Sequence, residues 1–159
     1  MSVFSMRALL LVLIIIALFF MAGCSTPIPA SRQTFNLNEQ VIFENGVYGF
    51  GASISHLDVQ NKNLTVTVSI TIENKGNVGI TLAVFPALVD PVGEEYPGSE
   101  IFFSQIAPGR IVTQTGTISL PSGAYETLKQ NAALHIRFQG SNPVPYEAYW
   151  AVDFTNLPK

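Results

Sequence analysis

The chain has 159 residues, of which 8 are Lys or Arg, 11 are Asp or Glu, and one, Cys24, is cysteine. The mild acidic excess leaves no basic footprint for nucleic acid and no polybasic patch for anionic lipid. A single cysteine excludes an intramolecular disulfide and a cysteine-based zinc or iron–sulfur site, so a folded body has to be held by its hydrophobic core, which about 120 residues can supply.

The chain opens with Arg7, the only charged residue before Arg32, followed by unbroken apolar sequence from Ala8 to Phe20 and the small residues Ala22 and Gly23. A basic start, a short apolar segment and a small-residue site are the parts of an export signal. Met21-Ala22-Gly23-Cys24 resembles the lipobox of bacterial and archaeal lipoproteins, with methionine at the position where leucine is usual. The resemblance implies a signal peptide over 1–23, a diacylglycerol on the Cys24 thiol, and a mature chain held on the extra-cytoplasmic face of the cell membrane. Two acyl chains anchor stably where one holds only marginally. The alternative is an uncleaved transmembrane helix, since Ala8–Gly23 is about 16 residues, near the lower limit for spanning hydrocarbon. Both readings leave the rest of the chain outside.

Residues 24–35 follow as the lipidated cysteine and a tether. Ser25 to Gln33, STPIPASRQ, favours extended chain and reaches at most roughly 28 Å. The body, 36–159, reads as strands and turns. Gln40–Glu44 is a short strand, and Val47–Gln60 a longer one in which Gly49 and Gly51 suggest a bend or bulge. In Leu64–Glu73 the residues Leu64, Val66, Val68, Ile70 and Ile72 alternate with Thr65, Thr67, Ser69, Thr71 and Glu73, the period of a half-buried strand. Asn74-Lys75-Gly76-Asn77 is turn chemistry, in which Gly and Asn tolerate positive φ.

Val78–Val84 resumes as a strand. Pro86 predicts an edge or a break, with Ala87–Asp90 continuing beyond it. Asp90-Pro91-Val92-Gly93 has the composition of a type I turn. Strands follow near Glu100–Ser104 and, after Pro108-Gly109, over Arg110–Leu120. Pro121–Asn131 holds a helical turn, and strands at Ala132–Gln139 and Tyr146–Phe154 close the chain. The expected fold is all-β, an immunoglobulin-like antiparallel β-sandwich of about seven to nine strands.

An ordered set of motifs runs through the body: VTVSITIEN at 66–74 continuing as KGNVGITL at 75–82, ALVDPVGEEY at 87–96, IAPGRIVTQTGTISL at 106–120, and ALHIRF at 133–138. This order of alternating strand with Asn-x-Gly, Leu-x-Asp-x-x-Gly and Pro-Gly before a long strand resembles the immunoglobulin-like domain of unknown function found in bacterial and archaeal surface lipoproteins. That domain shares its sandwich with a secreted immunoprotective antigen. The late-embryogenesis-abundant-like sandwich has a similar opening. The first resemblance covers residues 40–154 and implies a surface sandwich; it defines no catalytic residues.

Candidate chemistry is sparse. A Ser–His–Asp triad needs His56 or His135 beside a nucleophile and an acid. Ser53, Ser55 and Asp58 lie near His56, and alternation places His56 and Asp58 on one face with Ser55 on the other. No Gly-x-Ser-x-Gly elbow is present, and His135, between Leu134 and Ile136 and followed by Arg137, reads as a residue of the wet face. Asp90, Glu94, Glu95 and Glu100 are the calcium candidates, since that ion takes several hard oxygens, but their spacing matches no EF-hand. Tyr146, Tyr149, Trp150 and Phe154 crowd the last strand; Trp150, Val152 and Phe154 read as core, with Tyr149 outward. Asn63-Leu64-Thr65 is an N-glycosylation sequon. The glycines at 46–51 lack the helix and lysine of a phosphate loop.

No catalytic residue and no cofactor is therefore assigned. The expected partners are the membrane, through a lipid on Cys24, and a protein or envelope component. A small-ligand-binding lipoprotein for metal or sugar is the alternative, and an enzyme built on His56 or His135 is the third reading.

Overall fold

The computed structural model describes residues 33–60, 65–129, 131–140 and 146–155. All of them lie in the compact unit Ser31–Lys159, and among them no helix is long and apolar enough to cross a membrane. Cys24 with the signal segment, and the Asn63 sequon, lie outside the described residues.

The strands are β1 (Thr34–Phe35), β2 (Val41–Asn45), β3 (Tyr48–Gln60), β4 (Thr65–Asn74), β5 (Ile80–Val89), β6 (Glu95–Pro97), β7 (Ile101–Ile106), β8 (Ile111–Ser119), β9 (Ala132–Gly140) and β10 (Tyr146–Val152), with one short helix, α1 (Ala124–Leu128), before β9. They form two sheets. The larger runs β1-β10-β9-β5-β6 with β7 also on β5, and the smaller runs β2-β3-β4-β8. This is an all-β sandwich of immunoglobulin-like type. The extra strands over the expected number are β1 and β6, two and three residues long. β1 pairs in parallel with β10, Thr34 with Tyr149 and Phe35 with Trp150, so the sheet takes in residues that read as tether.

Alternation builds the core. Along β4 every second residue, Val66, Val68, Ile70 and Ile72, is buried, while the threonines and serine between them stay partly exposed. Leu82, Val84 and Leu88 of β5, Leu134, Ile136 and Phe138 of β9, and Trp150 of β10 face them from the other sheet. Each such side chain contributes roughly 1.5–3 kcal/mol by leaving water. The wet face of the smaller sheet is a hydroxyl ladder, with Thr71 against Thr113 at 2.8 Å and Ser69 against Thr115 at 3.0 Å.

Three local expectations are corrected. Pro86 neither breaks β5 nor marks an edge; it pairs with Ile136 in the middle of the sheet. On the opposite side of β5, β7 pairs Ile80–Val84 and β6 pairs Ala87–Val89, leaving Phe85 and Pro86 between them. The Pro86 carbonyl accepts from the Gly98 N–H on that side. A strand residue's N–H and C=O point the same way, so the missing proline donor falls in this gap and costs the β9 ladder nothing.

The bulge in β3 lies between Ile54 and His56 rather than at the glycines. At Gly51 a Cβ would instead lie 2.5 Å from Nε2 of Gln40, so the Gln40 side chain lies over the bare glycine. The turn after β4 likewise has no positive φ at Gly76 or Asn77. Gly76 is there because a Cβ would lie 2.8 Å from the Val47 carbonyl oxygen and 2.9 Å from the Gly49 nitrogen.

Fully buried Asn74 closes that turn. Its Nδ2 donates to the carbonyls of Val78 (2.8 Å) and Ile106 (2.7 Å), and its Oδ1 accepts from the Gly76 N–H (2.9 Å). The Trp150 indole N–H makes a second long-range tie, to the Glu39 carbonyl at 3.2 Å.

Candidate functional site

The outer face of the larger sheet carries a histidine between two carboxylates. Alternation along β9 sends Leu134, Ile136 and Phe138 into the core and His135 and Arg137 to the opposite face. His135 nevertheless has a side chain only 6% exposed. Its register partners are Tyr149 on β10 and Ala87 on β5. The Tyr149 ring stacks on the imidazole, with centroids 4.2 Å apart and planes 8° from parallel. The Ala87 methyl on the other side leaves room for Glu95 of β6 to reach across β5.

Both imidazole nitrogens are engaged. Nδ1 lies 2.9 Å from Glu95 Oε1 and Nε2 lies 3.2 Å from Glu147 Oε2. The two carboxylates flank opposite ends of one ring, so a single ion cannot sit between all three groups. Among the described residues no group of three or more His, Cys, Asp or Glu side chains is placed to hold a metal ion.

The calcium candidates are held apart in separate roles. Asp90 is buried, and its Oδ1 accepts the Val92 and Glu94 N–H groups at 3.0 and 2.9 Å, closing the 90–94 turn. Glu94 and Asp90 also lie beside Tyr96; burial first, and then these carboxylates, hold the Tyr96 hydroxyl above its ordinary range. Glu95 turns to His135, and Glu100 is exposed.

The triad residues do not assemble. His56 and Ser55 are both exposed, and Ser55 accepts from the Thr71 hydroxyl on the outer face of the smaller sheet. The bulge supplies the reason: the extra residue breaks the alternation that would have turned Ser55 inward. Of the last-strand aromatics, Trp150 and Phe154 are core, Tyr149 is outward but buried against His135, and Tyr146 joins Phe43 and Phe50.

Two concavities among the described residues bear on ligand binding. The aromatic end of the sandwich encloses about 30 Å³ lined by Phe43, Tyr48, Phe50, Ile80, Leu82 and Tyr146. That is room for one water, well short of the roughly 300–1,000 Å³ of ligand pockets. An open groove of about 630 Å³ runs past Thr34, Asn36, Asn131, Asp153 and Thr155.

The partners of His135 carry no sequence signal of their own. Glu95 and Glu147 lie 40 and 12 residues away and meet it only through the β10-β9-β5-β6 order.

No protein-family model matches the chain, and no curated protein matches it. Among solved structures it is similar to a Bordetella pertussis protein described as ApaA, at 14% identity over 69% of this chain and 96% of that one, with a TM-score of 0.44. It is similar to beta-glucosidase 3B of Thermotoga neapolitana at 15% identity, covering 70% of this chain but 17% of that enzyme, with a TM-score of 0.39. The GAE domain of yeast GGA1 is similar at 14% identity over 76% of this chain and 100% of that domain, with a TM-score of 0.32.

Proposed function

We propose that this chain is a lipid-anchored, non-enzymatic cell-surface protein whose sandwich, outside the cytoplasm, binds or supports a protein or envelope partner. The observation that carries the reading is the opening sequence: one basic residue, an apolar run and Met21-Ala22-Gly23-Cys24. The ordered motifs of residues 40–154, similar to the immunoglobulin-like domain of surface lipoproteins, support the same reading. His135, with both ring nitrogens on carboxylates, supports the non-enzymatic part of it. Fractionation of the wild type and Cys24→Ala, with the intact mass of the mature N-terminus, tests it. Membrane association with a lipid mass on Cys24, both lost in the variant, is the expected result. Full unprocessed mass in the membrane for both proteins would replace the lipid by a transmembrane helix.

The groove past Asn131 and Asp153 favours a second reading, a small-ligand-binding lipoprotein. Its volume lies in the range of ligand sites, and its lining mixes Asn36, Asn131 and Asp153 with Ala133, Ala151 and Val152. Sugar titration followed by amide NMR would locate binding there; unmoved resonances of Asn131 and Ala151 across a panel of sugars would remove this reading.

A further inference from the structure

Glu147 stands between His135 and Arg137. Its carboxylate contacts His135 Nε2 on the diagonal, while the β9–β10 register sets it directly opposite Arg137. Among the described residues Arg137 is exposed and has no ion pair. The choice Glu147 makes depends on protons. An ionised carboxylate only accepts, and a neutral imidazole has one donor and one acceptor nitrogen. Both contacts of His135 are hydrogen bonds only when the ring carries two protons or one glutamate is protonated. Once the trio loses that proton, one ring nitrogen presents a lone pair to a carboxylate, and that contact opens.

The contact that opens is the one to Glu147. It is the longer, at 3.2 Å against 2.9 Å, and Glu147 is the more exposed, 58% against 42% for Glu95. The proton left on the ring therefore stays on Nδ1, toward Glu95. Glu147, released, faces Arg137 across the strand pair, where opposite charges attract.

We propose that Glu147 is a proton-linked switch, bound to His135 at acid pH with Arg137 free, and bound to Arg137 once the second imidazole proton is lost. Among the described residues the groups around the ring are Glu95 from β6, Glu147 and Tyr149 from β10, Arg137 on β9 itself, and the uncharged Phe85, Ala87 and Val89 of β5. Glu94 and Asp90 are turned to Tyr96. The outer face of the larger sheet thereby offers a free guanidinium, suited to an acidic partner group, only on the acid side of the imidazole titration. The inference concerns the sandwich and does not rest on the anchor.

The test is NMR on the full chain in detergent, following the His135 ring nitrogens and the Arg137 Nε–H from about pH 4 to about pH 9, the range in which histidine switches work. We expect the residual ring proton on Nδ1, with Arg137 Nε–H exchange, corrected for its intrinsic pH dependence, slowing about two- to five-fold as the ring titrates, the size of an exposed ion pair. In Glu147→Gln the ring still titrates and the Arg137 response disappears. A residual proton on Nε2, an Arg137 exchange rate indifferent to the ring, or a ring that holds both protons throughout overturns the proposal.

Discussion

The side-chain amide of Asn74 donates to the carbonyl of Ile106 at 2.7 Å, joining the end of β4 in one sheet to the end of β7 in the other. Neither Asn74 nor Ile106 is exposed, so water cannot replace the bond. Asn74→Ala strands the buried carbonyl of Ile106 and removes the part-buried bond to the Val78 carbonyl. It is expected to cost about 2–4 kcal/mol, since each unsatisfied buried group costs about 1–3. Asn74→Asp keeps the shape but removes the donors, and should cost at least as much. Urea unfolding checks both; an Asp variant as stable as the wild type would refute this role for the amide.

Gly76→Ala should destabilise by about 1–3 kcal/mol, because the new methyl meets backbone, which moves only with the turn. Gly79→Ala is the control. Its nearest neighbour would be the Ile106 carbonyl oxygen at 3.9 Å, and its unfolding midpoint should stay close to that of the wild type.

Trp150→Phe keeps most of the buried area and loses the indole donor to the Glu39 carbonyl. Trp150→Ala also opens a cavity in the core and should cost about 3–5 kcal/mol. The difference between the two variants, read by thermal unfolding, separates packing from the tie; a Phe variant as damaging as Ala would assign the stability to the hydrogen bond.

Glu73 predicts an acid limb. The Gln40 amide at 2.9 Å, and then the Lys75 ammonium at 3.0 Å, hold its carboxyl below the usual range. A depressed carboxyl stabilises the fold above its unfolded value, and that contribution disappears as pH falls through the folded one. Glu73→Gln should therefore flatten the acid limb of the stability profile and leave its alkaline side unchanged. Tyr96 has the opposite sign: its raised hydroxyl favours the fold while neutral and loses that contribution as pH rises above the ordinary tyrosine range. Tyr96→Phe should flatten the alkaline limb, as followed by unfolding at a series of pH values. A limb of unchanged steepness in either variant contradicts its assignment.

The long strands were legible because their signal is local. Thr65 to Glu73 alternates without a fault, and each residue lies on the face its chemistry predicts. β1 and β6 were not, because two or three residues carry no period. Pro86 misled because the rule against central prolines assumes a neighbour at every position, and here the neighbour changes from β7 to β6 at the proline. Ser55 misled because a bulge leaves no mark in the alternation until the partner strand is known. His135 shows the same limit at the candidate site. Its outward direction was readable from Leu134 and Ile136, but its burial depends on the order of four strands.

The two-residue strand β1 also has a mechanical meaning. A pull on the chain ahead of Gln33 reaches the sandwich first at Thr34 and Phe35, whose bonds to parallel β10 are loaded in shear, together rather than one at a time. Two residue pairs yield early, and Phe35 leaves Trp150, its ring neighbour at 6.2 Å. The next restraints are the Asn38 N–H on the Ile54 carbonyl at 3.0 Å and the Glu39 carbonyl on the Trp150 indole, and behind them the full length of β2 against β3. Tension is thus taken up by a short sacrificial segment before it reaches the packed sheets, and the same residues can re-pair when the load is gone.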